Sequence, residues 1–268
     1  VTAMIDESNP VAEGEPEGSG KEGQQGTASV LKALALLDVF CGGEASMGVS
    51  DIARRAGVPV STAHRLLAYL VEGGFVSKEG TRYRPGNKLF ELGNKVAHSR
   101  PEGLREQVAP YLGELYAESG MTARLAVLDG SEVVIVDKIV GLRTLPAPTA
   151  VGGRVPATCT ALGKALLAFR SSEELSATLR GPLPMRTRHS TISPRLLNGQ
   201  FIETRSSYLA YDRQESVLGQ VCVATPIFRG GDAVAAISLS GPAVRVNLLQ
   251  SGSALRRAAR LIELRMAG

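Results

Sequence analysis

From Ala28 onward, Val30, Leu31, Leu34, Leu37 and Val39 recur at helical spacing, and Gly42 and Gly43 close the segment, so the pattern predicts a first helix. Ser50 is placed to cap a short second helix over 51–56, which Gly57 ends. Pro59 suits the first turn of a third helix, whose buried stripe is Ala63, Leu66, Leu67, Leu70 and Val71 up to Gly73 and Gly74. The stretch "FVSKEGTRYRPG" then switches to two short alternating runs joined at Glu79 and Gly80, the pattern of a hairpin. Three helices and a hairpin in this order make a winged helix-turn-helix over 27–86. A linker helix follows over 87–100, with Leu89, Leu92 and Val96 as its apolar side.

Beyond Pro101 the periods alternate. Helices are predicted over 104–118, 160–169, 172–180 and 194–209 and from Asn247, with strands over 122–128, 132–139, 220–228 and 233–240. This order predicts an α+β domain over 101–268, a sheet covered by helices. Residues 1–26, with "EGEPEGSGKEGQQG", have almost nothing to bury and are expected to form a disordered acidic tail.

Charge sharpens this division. The tail holds six acids against the single Lys21, so the rest of the 268-residue chain is at +9 where the whole is at +4. That balance permits a nucleic-acid partner without requiring one. No apolar run approaches the roughly 18 residues that span a bilayer, and no basic, apolar signal segment opens the sequence, so no membrane role is expected. Cys41, Cys159 and Cys222 are far apart and odd in number, which suggests neither a disulfide framework nor a zinc ribbon and fits a reducing, cytoplasmic setting.

Within "ARRAGVPVSTAHRLL", Ser61, Thr62 and Arg65 lie off the apolar stripe of the third helix, with His64 at its border. The second helix of a helix-turn-helix enters the major groove by its N-terminal residues, which must be short and polar enough to read base edges. Arg65 can pair with guanine through two hydrogen bonds, a contact worth about 1–3 kcal/mol of discrimination. Arg82 and Arg84 alternate with Tyr83, so both leave one face of the wing, toward phosphate or the minor groove. Taken singly, each is better explained as solvated surface. The order of helix, turn, helix and basic wing favours DNA.

The motifs "SVLKALALLDVF", "SDIARRAGVPVSTAHRLLAYLVEGGFV" and "YRPGNKLFELG", followed by "GGRVPATCTALGKALLAF", "DRQESVLGQVCVATPIF" and "AAISLSGP", resemble the IclR-type bacterial transcriptional regulators over 28–266. The resemblance implies a winged helix-turn-helix, a linker helix and a GAF-like effector-binding domain, acting as a homodimer or homotetramer on double-stranded operator DNA. It also implies a small-molecule effector that alters DNA binding. The acidic tail has no counterpart in the pattern, and Thr158 stands where many members carry histidine.

The residues indicate a pocket independently. Cys222 shares a strand face with Ala224 and Pro226, and Ser238 shares one with Ser240, so a small polar hollow forms if both faces meet. Beside it the N–H groups of Thr160, Ala161 and Leu162 at a helix start offer a seat for a carboxylate. The resemblance implies that Ala161 and Leu162 line the pocket while Asp212, Cys222, Ser238 and Ser240 supply its polar groups. Asp212 is alternatively the first residue of a capping box with Glu215, and Cys222 an inert buried thiol.

Enzymatic signals are weak. "TALGKA" lacks the first glycine and the Ser/Thr of a phosphate-binding loop, so Lys164 is expected on the surface of its helix. His64, His98 and His189 show no metal-ligand spacing. The reading is therefore a regulator without cofactor or metal, a repressor rather than an activator, responsive to a small carboxylate or aromatic metabolite. An enzyme of GAF-like form and a ligand-independent architectural DNA-binding protein remain the alternatives.

Overall fold

A computed structural model describes residues 19–42, 44–96, 103–141 and 149–267, with the backbone alone for 19–27. The chain divides into two compact units, one ending at Phe90 and the other beginning at Glu91.

The first unit opens with α1 (Ser19–Asp38), followed by a single helical turn, Val39–Gly42. The helix takes in 19–26, which composition had assigned to the tail. Once a helix is nucleated, each added residue gains one hydrogen bond, so it extends into a polar stretch that could not start one. Of the α1 residues, Leu36 enters the core with Ala33 and Leu37 beside it, whereas Val30, Leu31 and Leu34 are exposed. The apolar stripe is thus wider than the surface that packs on it.

Strand β1 (Met47–Gly48) leads into α2 (Val49–Ala56), whose N-cap is Gly48, so Ser50 lies inside the first turn and caps nothing. Gly57 closes α2 at φ 67°, a left-handed conformation that disfavours any side chain, and its N–H and that of Val58 satisfy the last carbonyls. Helix α3 (Val60–Glu72) starts at once, with Pro59 as its N-cap rather than its first residue. Ala63, Leu66 and Leu67 join Ile52, Ala53, Met47, Val76 and Tyr83 in one core. Strands β2 (Val76–Glu79) and β3 (Arg82–Pro85) form the hairpin, and β1 pairs with β3 to make a three-stranded wing. Helix α4 (Asn87–Gly93) is shorter than the predicted linker helix, leaving Lys95 and Val96 in turns, and the linker residues 97–100 lie outside the described residues.

The second unit has one antiparallel sheet in the order β6-β5-β4-β9-β8-β7. Its strands are β4 (Thr122–Asp129), β5 (Glu132–Ile139), β6 (Arg154–Pro156), β7 (Ala210–Arg213), β8 (Gln220–Arg229) and β9 (Asp232–Pro242). The edge strands β6 and β7, each under five residues, had no visible alternation in the sequence. Helices α5 (Leu104–Ser119) and α9 (Leu248–Ala267) cover one face, packing on Ala123, Leu125, Val223, Ile237 and Leu239. The other face carries α6 (Ala161–Leu167), α7 (Ser172–Arg180) and α8 (Pro194–Ser207), packed on Ala126, Ile135, Cys222, Ala224 and Ala236. Gly163 of α6 rides so close to the preceding turn that a Cβ would lie 2.2 Å from the Ala157 backbone, which brings the start of α6 down onto the sheet.

Candidate nucleic-acid interface and effector pocket

In the first unit, the tight turn at Gly57 sends α3 off with its core stripe inward and its opposite edge in solvent. Ser61, His64 and Arg65 are exposed and Thr62 is half-buried. Among the described residues Arg65 makes no ion pair. On the wing, Tyr83 is buried while Arg82 and Arg84 flank it on the exposed face. Both arginines have partners within the protein. Arg82 Nε donates to Ser46 Oγ at 2.9 Å, and its Nη2 donates to Ser46 O and to Glu44 Oε2. Arg84 pairs with Glu79 at 2.6 Å. Arg82 therefore ties β3 to the segment entering β1, and each wing arginine must exchange an internal partner for any phosphate it meets.

In the second unit, the register sets Cys222 opposite Ser240, Ala224 opposite Ser238, and Ser238 opposite Arg124. The polar faces of β8 and β9 therefore do meet. The six residues expected at the pocket, Ala161, Leu162, Asp212, Cys222, Ser238 and Ser240, all line one cavity of about 50 Å³. The same register brings in a residue the sequence reading passed over: Arg124 of β4 projects onto this face and is only 6 % exposed. The signal was an arginine in the middle of the otherwise apolar run "ARLAVL", where strand alternation puts it inside. Gln220 and Thr160 line the cavity too.

Arg124 Nη1 donates to Ser240 Oγ, which also accepts from Gln220 Nε2 at 3.1 Å. Among the described residues its Nε has no partner, and Ser238 Oγ, beside the Cys222 thiol, has none in hydrogen-bonding geometry. Among the described residues no acid lies within ion-pair distance of Arg124. Burial pulls its proton affinity down, partly offset by the negative charge of Asp212. A buried charge of this kind costs several kcal/mol unless a counter-charge is supplied.

Asp212 lies on β7 opposite Cys222. Its Oδ1 accepts from the N–H groups of Glu215 at 2.6 Å and Ser216 at 3.3 Å, and its Oδ2 accepts from Ser216 Oγ. Burial raises its pKa to about 6 against the downward pull of those hydrogen bonds. This is a turn organised by a carboxylate rather than a capping box, because no helix follows and the Glu215 side chain goes elsewhere. Burial, then the neighbouring Asp212, push the Cys222 thiol up to about 12, so it is a neutral wall.

Two expectations are corrected at α6. Thr160 is its N-cap, with Oγ1 accepting from Gly163 N at 3.1 Å, but the Thr160 N–H itself bonds to Ala157 O and is not offered to the pocket. Lys164 is not a surface lysine: it is 1 % exposed, with Nζ 2.5 Å from Glu215 Oε1 and 2.9 Å from Gln200 Oε1. The buried positive group facing the cavity is thus Arg124, with the exposed Arg186 at the rim, and not the seven-residue helix.

Among the described residues no group of three or more His, Cys, Asp or Glu could hold a metal ion, and no helix is long and apolar enough to cross a membrane. The fold is a winged helix-turn-helix joined to a GAF-like α+β domain, the class of a DNA-binding regulator, and the second unit holds a small polar cavity.

Comparison with known proteins agrees. Residues 29–80 match the IclR helix-turn-helix domain and residues 97–263 match the bacterial transcriptional regulator IclR C-terminal domain. The chain is 35% identical over 244 residues to the HTH-type transcriptional regulator XynR of Escherichia coli, covering 86% of this chain and 96% of that one. It is 32% identical to the transcriptional repressor IclR of the same organism, over 90% of each. Among solved structures, an IclR homolog from Microbacterium hydrocarbonoxydans complexed with 4-hydroxybenzoate aligns with a TM-score of 0.81 at 25% identity, covering 88% of this chain and 98% of that one. The chain belongs to the IclR family of bacterial transcriptional regulators.

Proposed function

We propose that this regulator is a repressor whose affinity for a pseudo-palindromic operator is set by a small monocarboxylate bound at Arg124. The observation that carries the reading is the buried guanidinium that lines the cavity with a free Nε and no acid paired to it. An effector carboxylate supplies the missing charge, and Ser238 and Asp212 stand ready for its second polar group. The small cavity favours a compact acid. The solved homolog holding 4-hydroxybenzoate and the relative named as a repressor support the same reading.

On the DNA side, Ser61, Thr62, His64 and Arg65 form the reading edge, and Arg82 and Arg84 form the phosphate-facing wing. The exposed Val30, Leu31 and Leu34 of α1 and Phe90 of α4 support action as a homodimer or a dimer of dimers, which a two-fold operator matches. The effector acts by binding one arrangement of the domains better than another, since only differential affinity shifts an equilibrium.

A mobility-shift assay on DNA upstream of its own gene, with and without acetate, benzoate and 4-hydroxybenzoate, tests the reading. A shift that one of these acids weakens is expected. A shift insensitive to all of them leaves a ligand-independent DNA-binding protein, and no shift at low salt removes the regulator reading.

A further inference from the structure

The charges enclosed around the cavity already balance before an anion enters. Two cations, Arg124 and Lys164, and two acids, Asp212 and Glu215, are buried together. Lys164 is committed to Glu215 at 2.5 Å, which leaves Arg124 and Asp212 as the pair facing the cavity without a salt bridge between them. Beyond these four buried charges, the groups around Asp212 are a neutral thiol and two cations that are not fully buried. Cys222, across the strand pair, is a neutral thiol. Arg186, from the loop at the cavity rim, is exposed and donates to Ser216 O at 3.4 Å. Lys138 of β5, which faces Arg124, is half-buried and donates to Thr149 O.

A carboxylate seated on Arg124 therefore takes up the one buried cation that faces the cavity and adds a negative charge to the buried lining that also holds the Asp212 carboxylate. Two acids sharing such a site cannot both stay ionised. We infer that Asp212 takes up a proton as the carboxylate pairs with Arg124, so that the pocket binds its effector together with one proton and presents Asp212 as a neutral donor to the effector's second oxygen. This deepens the carboxylate reading above and rests on it.

Two features of the site support the inference. Asp212 is the acid without a salt bridge among the described residues, whereas Glu215 holds Lys164 at salt-bridge distance. Burial already holds the Asp212 carboxyl near 6 in the empty pocket, so a further negative neighbour moves its titration into the neutral range. The turn also survives protonation, because one carboxyl oxygen keeps accepting from the Glu215 and Ser216 amides while the other turns its proton to the cavity.

The test is calorimetric titration of the full chain with acetate, benzoate and 4-hydroxybenzoate across the neutral range, in two buffers of different ionisation enthalpy. For whichever acid binds, affinity should fall by roughly tenfold per unit between about pH 6.5 and 8, with about one proton taken up per site. Asp212→Asn retains the acceptor for both amides and imitates the protonated acid. Its affinity should be flat over the same range and tighter than that of the wild type at the alkaline end. Binding by the wild type that is independent of pH and buffer overturns proton uptake while leaving the carboxylate reading intact. So does an Asp212→Asn chain, shown folded by circular dichroism, that keeps the wild-type slope. Binding of none of the three acids removes the carboxylate reading, and this inference with it.

Discussion

Arg65 and Arg124 carry the same side chain into opposite settings. Arg65 is exposed on α3 and, among the described residues, makes no ion pair, so contact with a base edge would cost it little. Arg124 is buried against Ser240 with one nitrogen unbonded, and its charge is a standing debt that a ligand can relieve. On the proposed function, the exposed edge of α3 adds specificity to a stable surface, while the cavity withholds stability until an anion arrives. The two should respond differently to substitution.

The largest effect is expected behind the cavity, where charges are most deeply enclosed. Lys164→Met leaves Glu215 buried and unpaired and should lower unfolding free energy by about 3–5 kcal/mol, measured by urea denaturation. The double change Lys164→Met with Glu215→Leu should recover most of that loss, since an apolar pair of similar volume costs no desolvation. A double variant as unstable as the single one would mean that the pair is needed for packing rather than charge.

Arg124→Met comes next. Effector affinity should fall at least about 30-fold, the low end of the roughly 2–5 kcal/mol that losing one partner of a buried charged hydrogen bond costs. Ligand-free stability should hold or rise, because an uncompensated charge is removed. A loss of stability without ligand would show that the guanidinium is a structural tie.

Asp212 adds a pH signature. Its pKa is raised to about 6 in the folded chain, so the native state binds its proton more tightly than the unfolded state does. Its contribution to stability is then present below the unfolded pKa and lost as pH rises through about 6. Asp212→Asn should remove that loss, stabilising the chain at alkaline pH by on the order of 2 kcal/mol relative to the wild type. Equal pH profiles for the two chains would contradict the buried-acid description.

Arg65→Ala should cost about 1–3 kcal/mol of operator discrimination, seen in competition between specific and random DNA, with the fold and ligand binding unchanged. Arg82→Ala should have the smallest effect on the reading of bases, since its guanidinium is spent on Ser46 and Glu44. It is expected to loosen the wing by less than about 1 kcal/mol, as exposed ion pairs do.

The contrast between the two regions also explains what could be read in advance. The exposed edge of α3 was legible because a solvent-facing residue is defined by its own helix: Ala63, Leu66 and Leu67 point in, so Ser61 and Arg65 point out. Cys222, Ser238 and Ser240 were legible to the same degree, since alternation sorts each strand into two faces. What alternation does not state is which faces meet, and the register of β4 on β9 is what delivers Arg124 to the cavity. Lys164 was misplaced for a related reason. In "ALGKALL" every other residue is Ala, Leu or Gly, and a helix that is apolar all round is buried all round, its one lysine included. Its partner Glu215 lies 51 residues away in the chain, beyond any local pattern. The edge strand holding Asp212 escaped notice because it is four residues long.

The central claim is that an anion meeting Arg124 changes the grip on DNA, and fluorescence anisotropy of labelled upstream DNA tests it most directly. Wild-type chain and Arg124→Met should bind the DNA equally well without ligand, and only the wild type should release or tighten its hold when acetate, benzoate or 4-hydroxybenzoate is added. An Arg124→Met chain that responds to the acid as the wild type does would contradict the account.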